Sequence, residues 1–332
     1  MLIHDLQTPA LIVERSELEA NLATMAAALP GPRLRPHVKA HKTTALARLQ
    51  QQAGHPGFTC ATIREVEGMV AAGLGEDLLL ANEVLDARRL GRLVDAGARV
   101  TVAVDSPETV RAAAVGGVTE VVVDVNVGLP RCGALPEEAG RVAELARSAK
   151  LSVRGVMGYE GHVMLEPAQD KVRQTQECME RLLRAAADVG GALVSAGGTG
   201  TYDVNTWANE IQAGSYALMD TTYAATGVPF GAALTVLATV ISTSSQGWAV
   251  ADLGLKSLGM DHGNPVVPGA TVWFCSDEHT TFAAEEGSAF AVGDRIRALP
   301  AHVDPTVALH ERMFLVDGEE VLEEWAVDLR GW

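Results

Sequence analysis

The stretch R-P-H-V-K-A-H-K-T at positions 35–43 is the part of the sequence from which the fold can be worked out. Residues 33–39 are predicted to be extended, and residues 16–29 before them carry the apolar spacing of an amphipathic helix. Lys39 therefore lies at the end of a predicted strand, with basic and hydrogen-bonding side chains on both sides. Burial and neighbouring cations lower the pKa of a lysine amine, which makes it a nucleophile toward carbonyl groups. The stretch predicts a lysine that forms a Schiff base.

Outward from this stretch, apolar runs alternate with helical segments through the first two thirds of the chain. The predicted strands are at residues 33–39, 57–62, 77–80, 100–104, 120–127, 151–159, 192–196 and 215–219. Eight strand and helix units indicate an α/β protein built on a closed (β/α)8 barrel. An open doubly wound sheet gives the same local pattern, so periodicity alone leaves both architectures open.

The pattern changes after about residue 232, where helical periodicity ends. β-Favouring runs separated by glycine and proline are predicted to be strands at residues 234–242, 247–253, 270–275, 295–299 and 312–316. The sequence thus predicts a barrel followed by a mostly β C-terminal domain.

Composition and charge exclude several classes of protein. Apolar residues make up 48% and charged residues 20% of the 332 positions, which is typical of a globular protein. The formal net charge of −16 argues against binding to nucleic acid or anionic membranes, both of which need a basic surface. The sequence has no apolar run long enough to span a membrane and no secretory signal, and its four cysteines are widely separated. A cytoplasmic protein with reduced thiols is expected.

Two glycine-rich segments lie near the last predicted barrel strands, S-A-G-G-T-G-T-Y at 195–202 and Q-A-G-S-Y at 212–216. In barrels of this kind, loops at the carboxyl ends of the last strands commonly bind phosphate. Glycines such as Gly200 let backbone N–H groups approach an anion closely, and Ser195, Thr199 and Ser215 can donate hydroxyl groups. These segments predict a phosphate site.

The motifs together resemble one group of enzymes. The early T-P-A-L-I-V-E segment, the lysine after the first barrel strand, the glycine loops and the C-terminal β domain resemble the fold type III pyridoxal-phosphate enzymes. R-P-H-V-K-A-H-K, E-I-Q-A-G-S-Y-A-L-M-D, D-E-H and P-A-H-V-D-P-T-V resemble the family of D-threonine aldolases, 3-hydroxy-D-aspartate aldolases and eukaryotic-type D-serine dehydratases. The resemblance spans nearly the whole chain.

This resemblance implies a barrel like the N-terminal domain of alanine racemase at residues 15–232. Residues 1–14 would join residues 233–332 in the β domain, with residues 8–13 paired to its strands. Lys39 would form the Schiff base with pyridoxal 5'-phosphate. A homodimer that acts on a small β-hydroxy-D-amino acid is also implied.

The resemblance carries over further cofactor contacts. Arg131 matches an arginine near the cofactor's phenolate oxygen, and Tyr159 matches a tyrosine that lines the pocket. Gln212 stands where bacterial alanine racemases have an arginine facing the pyridine nitrogen. Gly214 and Ser215 match the phosphate-binding pair. The same comparison places two more residues at the cofactor, Thr199 and Tyr223.

His302 and Asp304 form a candidate metal-binding pair. On an extended segment, residues i and i+2 point to the same side, so the two side chains could bind one divalent ion. An isolated H-x-D motif is weak, but the resemblance implies a metal here that binds the β-hydroxyl group of the substrate. Dehydratases of this group typically have cysteine at the position of Asp304, and aspartate suits manganese or magnesium better than zinc. This residue favours an aldolase.

The leading hypothesis is a retro-aldol cleavage of D-threonine-type substrates to glycine and an aldehyde. His162 or metal-bound hydroxide would remove the β-hydroxyl proton. The resemblance also allows the histidine of the aldolases to lie a few residues later in the loop, where this chain has Leu165. Two alternatives remain open: a D-serine or 3-hydroxy-D-aspartate dehydratase or aldolase of the same family, and a pyridoxal-phosphate carrier without turnover.

Overall fold

The structure, a computed structural model, describes residues 1–332. In chain order the strands are β1 (Ala10–Glu14), β2 (Phe58–Cys60), β3 (Leu78–Leu80), β4 (Val100–Val104), β5 (Glu120–Asp124), β6 (Ser152–Met157), β7 (Leu193–Ala196), β8 (Glu210–Ile211), β9 (Leu234–Thr243), β10 (Ala249–Ala251), β11 (Ala270–Cys275), β12 (Thr280–Ala284), β13 (Arg295–Ala298), β14 (Arg312–Asp317) and β15 (Glu320–Ala326). The α-helices are α1 (Arg15–Ala28), α2 (Thr44–Gln52), α3 (Ile63–Ala71), α4 (Arg88–Asp95), α5 (Pro107–Val115), α6 (Ala139–Ser148), α7 (Ala168–Val189), α8 (Thr221–Ala224) and α9 (Val303–Ala308). No helix is both long and apolar enough to cross a lipid bilayer.

Strands β2 to β8 form one parallel sheet in sequence order. The segment 34–37 joins both of its edges, because Leu34 bridges Ile211 of β8 and His37 bridges Thr59 of β2, each in parallel orientation. The N–H of Arg35 donates to the carbonyl of Ile211 at 2.9 Å. This segment therefore takes the place of the first strand and closes the sheet, which confirms the predicted barrel over the open alternative.

Strands β2, β3 and β4 are buried along their whole length because both faces of the sheet are covered. Helices after the strands begin at clear capping signals: the Thr62 hydroxyl accepts from the N–H of Glu65 at the start of α3, and Ser106 precedes Pro107 in α5. These caps fix where the chain turns at the carboxyl ends of the strands, which is the end of a barrel where active sites are built.

Two local predictions in the barrel are wrong. The last barrel strand is Glu210–Ile211 and not residues 215–219, where the chain forms a 3-10 helix at Ser215–Ala217. The extended run predicted at 33–39 ends early, because Val38–Ala40 also form a 3-10 helix. Lys39 therefore lies in a tight turn just past the strand position.

The β domain is built on a sheet in the order β11-β12-β10-β9-β1-β14-β15, with β13 also paired to β9. Strand β1 lies inside this sheet, where Leu11 pairs in parallel with Met313 and antiparallel with Val236. This confirms that residues near the N-terminus pair with the C-terminal strands. The five predicted strands of this domain are present, whereas β12 and β15 were not predicted.

Contacts between residues divide the chain into two units. One comprises residues 1–24, 40–45 and 215–330, and the other comprises residues 25–39, 46–214 and 331–332. The predicted domain boundaries at 15–232 and at 1–14 plus 233–332 stay a prediction.

Candidate active site

Three of the predicted cofactor residues lie together at the carboxyl ends of the barrel strands. The Nζ of Lys39 lies 6.0 Å from the ring centroid of Tyr159, and the Cζ of Arg131 lies 5.2 Å from the same centroid. Tyr159 follows β6, and the N–H of Lys39 donates to the Nδ1 of His37 at 3.4 Å. The aromatic ring thus lies close to both cations, within the range of cation–π attraction.

Small residues hold the ring of Tyr159 in place. A Cβ on Gly161 would lie 2.4 Å from the Cε1 of Tyr159, so only glycine fits against this ring. A Cβ on Gly198 would lie 3.6 Å from its Cε2. The second glycine of the motif G-Y-E-G-H therefore has a packing role that orients the tyrosine.

Glu160 organises the first glycine loop. Its carboxylate is fully buried and accepts three hydrogen bonds, from the N–H of Gly197 at 3.1 Å, the hydroxyl of Thr201 at 2.9 Å and the amide of Asn205 at 2.9 Å. Burial raises the pKa of Glu160, while these donors favour the ionised form. The sequence interpretation missed this residue, although a lone acidic residue directly after a buried strand was a usable signal.

The loop that Glu160 holds requires glycine at two positions. Gly197 has a φ of +78°, in the region that favours glycine. A Cβ on Gly200 would lie 2.2 Å from the carbonyl oxygen of Met164, so this position also requires glycine. Thr199 between them is almost fully buried. Backbone N–H groups of glycines and a buried threonine hydroxyl are donors that suit a phosphate group, so the composition of the loop fits the cofactor that the resemblance implies.

Ser195 and Gln212 belong to a buried hydrogen-bonded chain. The hydroxyl of Ser195 donates to Glu210 at 2.7 Å and accepts from the Nε2 of Gln212 at 2.9 Å. A serine hydroxyl has one proton, and here it is directed to a carboxylate. The contact of Ser195 with phosphate stays a prediction. The hydrogen bond to Glu210 does not favour it, because it already uses the hydroxyl proton. The same chain fixes the orientation of the Gln212 amide.

The polar chain continues to the opposite end of the barrel. The Nε of Arg35 lies 2.8 Å from Glu210, and its NH2 lies 2.9 Å from Asp77. Arg154 donates to Asp77 at 2.7 Å. Burial alone would raise the pKa of Asp77, but the hydrogen bonds from Arg154 and Arg35 lower it to about 2. These ion pairs hold neighbouring barrel strands together. A cavity of about 280 Å³ borders them.

His162, the predicted base, packs beside α7. Its Nε2 lies 3.7 Å from the Sγ of Cys178, and a Cβ on Gly128 would lie 3.0 Å from its Cε1. Burial raises the pKa of Cys178 to about 11, so this neighbour is a neutral thiol. The role of His162 as a base stays a prediction.

In the β domain, His302 and Asp304 do not lie on an extended segment. His302 is the N-cap residue of α9, and Asp304 is in the first turn of that helix. On a helix, residues i and i+2 do not point to the same side, so the geometric reason given for pairing them is wrong. Asp304 instead accepts a hydrogen bond of 3.3 Å from the hydroxyl of Ser215. The assignment of the two residues to a metal stays a prediction.

The structure groups His302 with two other residues. The Oδ2 of Asp261 lies 2.7 Å from the Nδ1 of His302, and the ring of His262 stacks on that of His302 with 4.1 Å between centroids. Potential ligand atoms of these three side chains lie within 4.8 Å of one another. Imidazole nitrogen and carboxylate oxygen are donors that fit a divalent metal. Sequence spacing could not reveal this group, because His302 lies 40 positions after His262 in the sequence.

Asp220 connects the predicted Tyr223 with the turn that carries His302. Its carboxylate caps α8 by accepting from the N–H of Tyr223 at 2.9 Å, and it also accepts from the N–H of Val303 at 3.0 Å. Burial raises the pKa of this carboxyl group. Asp220 ends the motif E-I-Q-A-G-S-Y-A-L-M-D, and its role was also missed.

Comparisons with known proteins agree with this geometry. Residues 13–222 match the family profile described as alanine racemase, N-terminal domain, and residues 233–316 match the one described as putative serine dehydratase domain. The chain is 33% identical to 3-hydroxy-D-aspartate aldolase of Paracoccus denitrificans (strain Pd 1222), over 98% of this chain and 93% of that protein. It is 32% identical to D-threonine aldolase of Arthrobacter sp., over the same shares of the two chains.

The chain belongs to the family of D-threonine and 3-hydroxy-D-aspartate aldolases. A crystal structure of D-threonine aldolase from Filomicrobium marinum superposes on this family member with a TM-score of 0.94 at 33% identity, covering 99% of this chain and 97% of the other. The resemblance predicted from the motifs is therefore confirmed, as are the alanine racemase-like fold and the assignment to the lyases. Membership of this pyridoxal-phosphate-dependent family is likewise confirmed.

Proposed function

We propose that this protein is a pyridoxal-phosphate- and divalent-metal-dependent aldolase that cleaves β-hydroxy-D-amino acids of the D-threonine type to glycine and an aldehyde. The proposal rests chiefly on the grouping of Lys39, Tyr159 and Arg131 beyond the barrel strands. The amine of Lys39 is the group that would hold the cofactor's carbonyl carbon. When bound, pyridoxal phosphate supplies an electron sink for the carbon–carbon bond that breaks.

Each neighbouring residue has a separate task in this proposal. The cation of Arg131 offsets negative charge on the phenolate side, and the ring of Tyr159, fixed by Gly161, forms a wall of the pocket. Glu160 accepts the N–H of Gly197 and so holds the loop, whose remaining backbone N–H groups would donate to the phosphate. Phosphate contacts by Thr199, Gly200, Gly214 and Ser215 and a cofactor contact by Tyr223 belong to the same proposal. Gln212, with its amide fixed by Ser195, offers a neutral partner to the pyridine nitrogen.

The β-hydroxyl group needs a Lewis acid and a base. His302 and Asp304 would hold the divalent metal, and aspartate as a donor favours manganese or magnesium over zinc. The Nε2 of His162 would accept the proton of the hydroxyl group as the carbon–carbon bond breaks. A homodimeric, cytoplasmic enzyme remains part of the proposal.

A product assay tests the reaction type. The holoenzyme is incubated with D-threonine, D-serine or 3-hydroxy-D-aspartate, with and without EDTA, and acetaldehyde, pyruvate, glyoxylate, oxaloacetate and glycine are measured. We expect glycine and acetaldehyde in equal amounts from D-threonine, and loss of both with EDTA. Pyruvate from D-serine without acetaldehyde from D-threonine would contradict the aldolase assignment. Glycine and glyoxylate from 3-hydroxy-D-aspartate alone would keep the reaction type and change the substrate.

Two lysine variants test the attachment of the cofactor. Lys39→Ala is expected to abolish the visible absorbance band of bound pyridoxal phosphate, whereas the matched variant Lys42→Ala retains it. Survival of the band in Lys39→Ala would contradict the assignment. A normal band without turnover of any substrate would identify the carrier function instead.

The match of residues 233–316 to a putative serine dehydratase domain favours a dehydratase as second candidate. Asp304 argues against it, because the dehydratases of this group typically have cysteine there. Ammonia released together with pyruvate or oxaloacetate would decide for the dehydratase.

A further inference from the structure

We propose that Asp261 is a positioning residue that fixes the ring of His302 for metal binding through Nε2, and that His262 supports this ring by stacking without binding the metal. This inference rests on the proposed function, in which His302 is a metal ligand. It extends that function to two residues outside the H-V-D motif.

The hydrogen bond from His302 to Asp261 determines the tautomer of the imidazole. Asp261 lies 2.7 Å from the Nδ1 of His302. An ionised carboxylate only accepts hydrogen bonds, so Nδ1 must carry the proton. The neutral ring then keeps its lone pair on Nε2, which is the form that binds a metal. Carboxylates that accept from the other nitrogen of a metal-binding histidine also orient the ring and raise its basicity.

The position of His262 excludes it as a second imidazole ligand in this arrangement. Its ring lies 4.1 Å from that of His302, and the two planes differ by only 2°. A metal ion binds imidazole in the plane of the ring, at about 2.0–2.1 Å from the nitrogen in the case of zinc. Two parallel planes at this separation cannot both contain the same ion. The contact instead limits rotation of the His302 ring.

The backbone holds Asp261 and His262 beside His302. Gly259 forms an antiparallel bridge with His302, and the hydroxyl of Thr306 donates to the carbonyl of His302 at 2.7 Å while accepting from the N–H of Gly259 at 2.9 Å. A Cβ on Gly259 would lie 2.3 Å from the Cγ of Pro305, so no other residue permits this approach. Asp261 therefore reaches His302 from a fixed segment although its carboxylate is exposed.

Manganese binding to the holoenzyme tests the proposal without reference to activity. Mn²⁺ is titrated into EDTA-treated, pyridoxal-phosphate-loaded protein, and the free ion is measured by electron paramagnetic resonance. We expect Asp261→Asn to raise the Kd for Mn²⁺ by about 10- to 100-fold, as observed when partners of metal-binding histidines are removed. Asp277→Asn, an exposed carboxylate of the same domain, serves as the matched control and should leave the Kd unchanged. The cofactor absorbance band checks that each variant is folded.

The histidine variants separate the two roles. His302→Ala should abolish binding, whereas His262→Phe keeps a stacking ring and should bind Mn²⁺ as the unmodified protein does. An unchanged Kd in Asp261→Asn would overturn the positioning role, and loss of binding in His262→Phe would make His262 a ligand and overturn the stacking role. If the unmodified protein binds no Mn²⁺ and EDTA leaves turnover intact, the proposed metal dependence itself fails.

Discussion

Glu160→Gln replaces one carboxylate oxygen by an amide nitrogen and leaves the shape of the side chain unchanged. All three partners of Glu160 donate to it: the N–H of Gly197, the hydroxyl of Thr201 and the amide of Asn205. If the glutamine nitrogen faces Gly197, the backbone N–H loses its acceptor. If the amide turns the other way, the hydroxyl of Thr201 can rotate and accept, but the amide of Asn205 then faces a donor. Either orientation leaves one buried donor unpaired.

The size of the effect follows from that unpaired donor. Leaving a buried hydrogen-bonding group without a partner costs about 1–3 kcal/mol. Because the group belongs to the glycine loop, we expect the cost to fall on the loop conformation that binds phosphate. At about 1.4 kcal/mol for each tenfold change, the Kd for pyridoxal phosphate should rise between about 5-fold and about 150-fold.

Titration of the apoprotein with pyridoxal phosphate, followed by absorbance, measures this Kd, and urea unfolding measures stability alongside it. Thr201→Val is the matched control, because it removes one donor and leaves the carboxylate paired with the other two, so a smaller rise is expected. A Kd for Glu160→Gln within twofold of that of the unmodified protein would refute the reasoning. Lower stability with an unchanged Kd would separate Glu160 from the cofactor loop.

Two further predictions concern the barrel. Asp77→Asn should lower the free energy of unfolding at pH 7 by about 1–2 kcal/mol. The folded state lowers the pKa of Asp77 from 3.8 to about 2, which stabilises the folded state above pH 4, and the value is reduced for solvent screening of the charges. Urea unfolding curves should show a smaller loss of stability as the pH falls from 4 toward 2. An equal loss of stability at pH 7 and pH 3 would contradict the prediction. Asp86→Asn, at an exposed carboxylate, is the control. Gly200→Ala should weaken pyridoxal-phosphate binding more than Gly198→Ala. The new Cβ at position 200 would collide with the backbone oxygen of Met164, whereas the Cβ at position 198 would meet the flexible sulfur of the same residue. Equal Kd values for the two variants in the titration would argue against this.

The barrel and its lysine could be predicted because their signals are local and repeated. The last strand could not, because a short buried apolar run such as residues 215–219 satisfies strand and helical turn equally well. The chain there turns into a 3-10 helix, and Met219 adopts a φ of +60°. The true strand, Glu210–Ile211, has only two residues and carries no periodicity.

Only part of the candidate site could be predicted, because only some of its residues lie in motifs that the sequence shows locally. Motifs predicted Lys39, Arg131 and Tyr159. Glu160, which accepts from Gly197, and Asp220, which accepts from Val303, act through contacts that only the folded chain reveals. The extended interpretation of H-V-D overlooked a usable signal. Asp304 and Pro305, two and three positions after His302, are typical of the first turn of a helix, and α9 begins at Val303.

The bridges that hold segment 34–37 have a consequence for synthesis of the chain. Leu34 obtains its partner only from Ile211, far along the sequence. A nascent chain that stops before β8 therefore has an open sheet, and the segment before Lys39 is attached within the sheet only through His37 to Thr59 of β2. Contacts between such distant positions form late and slowly during folding. The second attachment of the segment before Lys39 thus forms only after nearly the whole barrel has been synthesised.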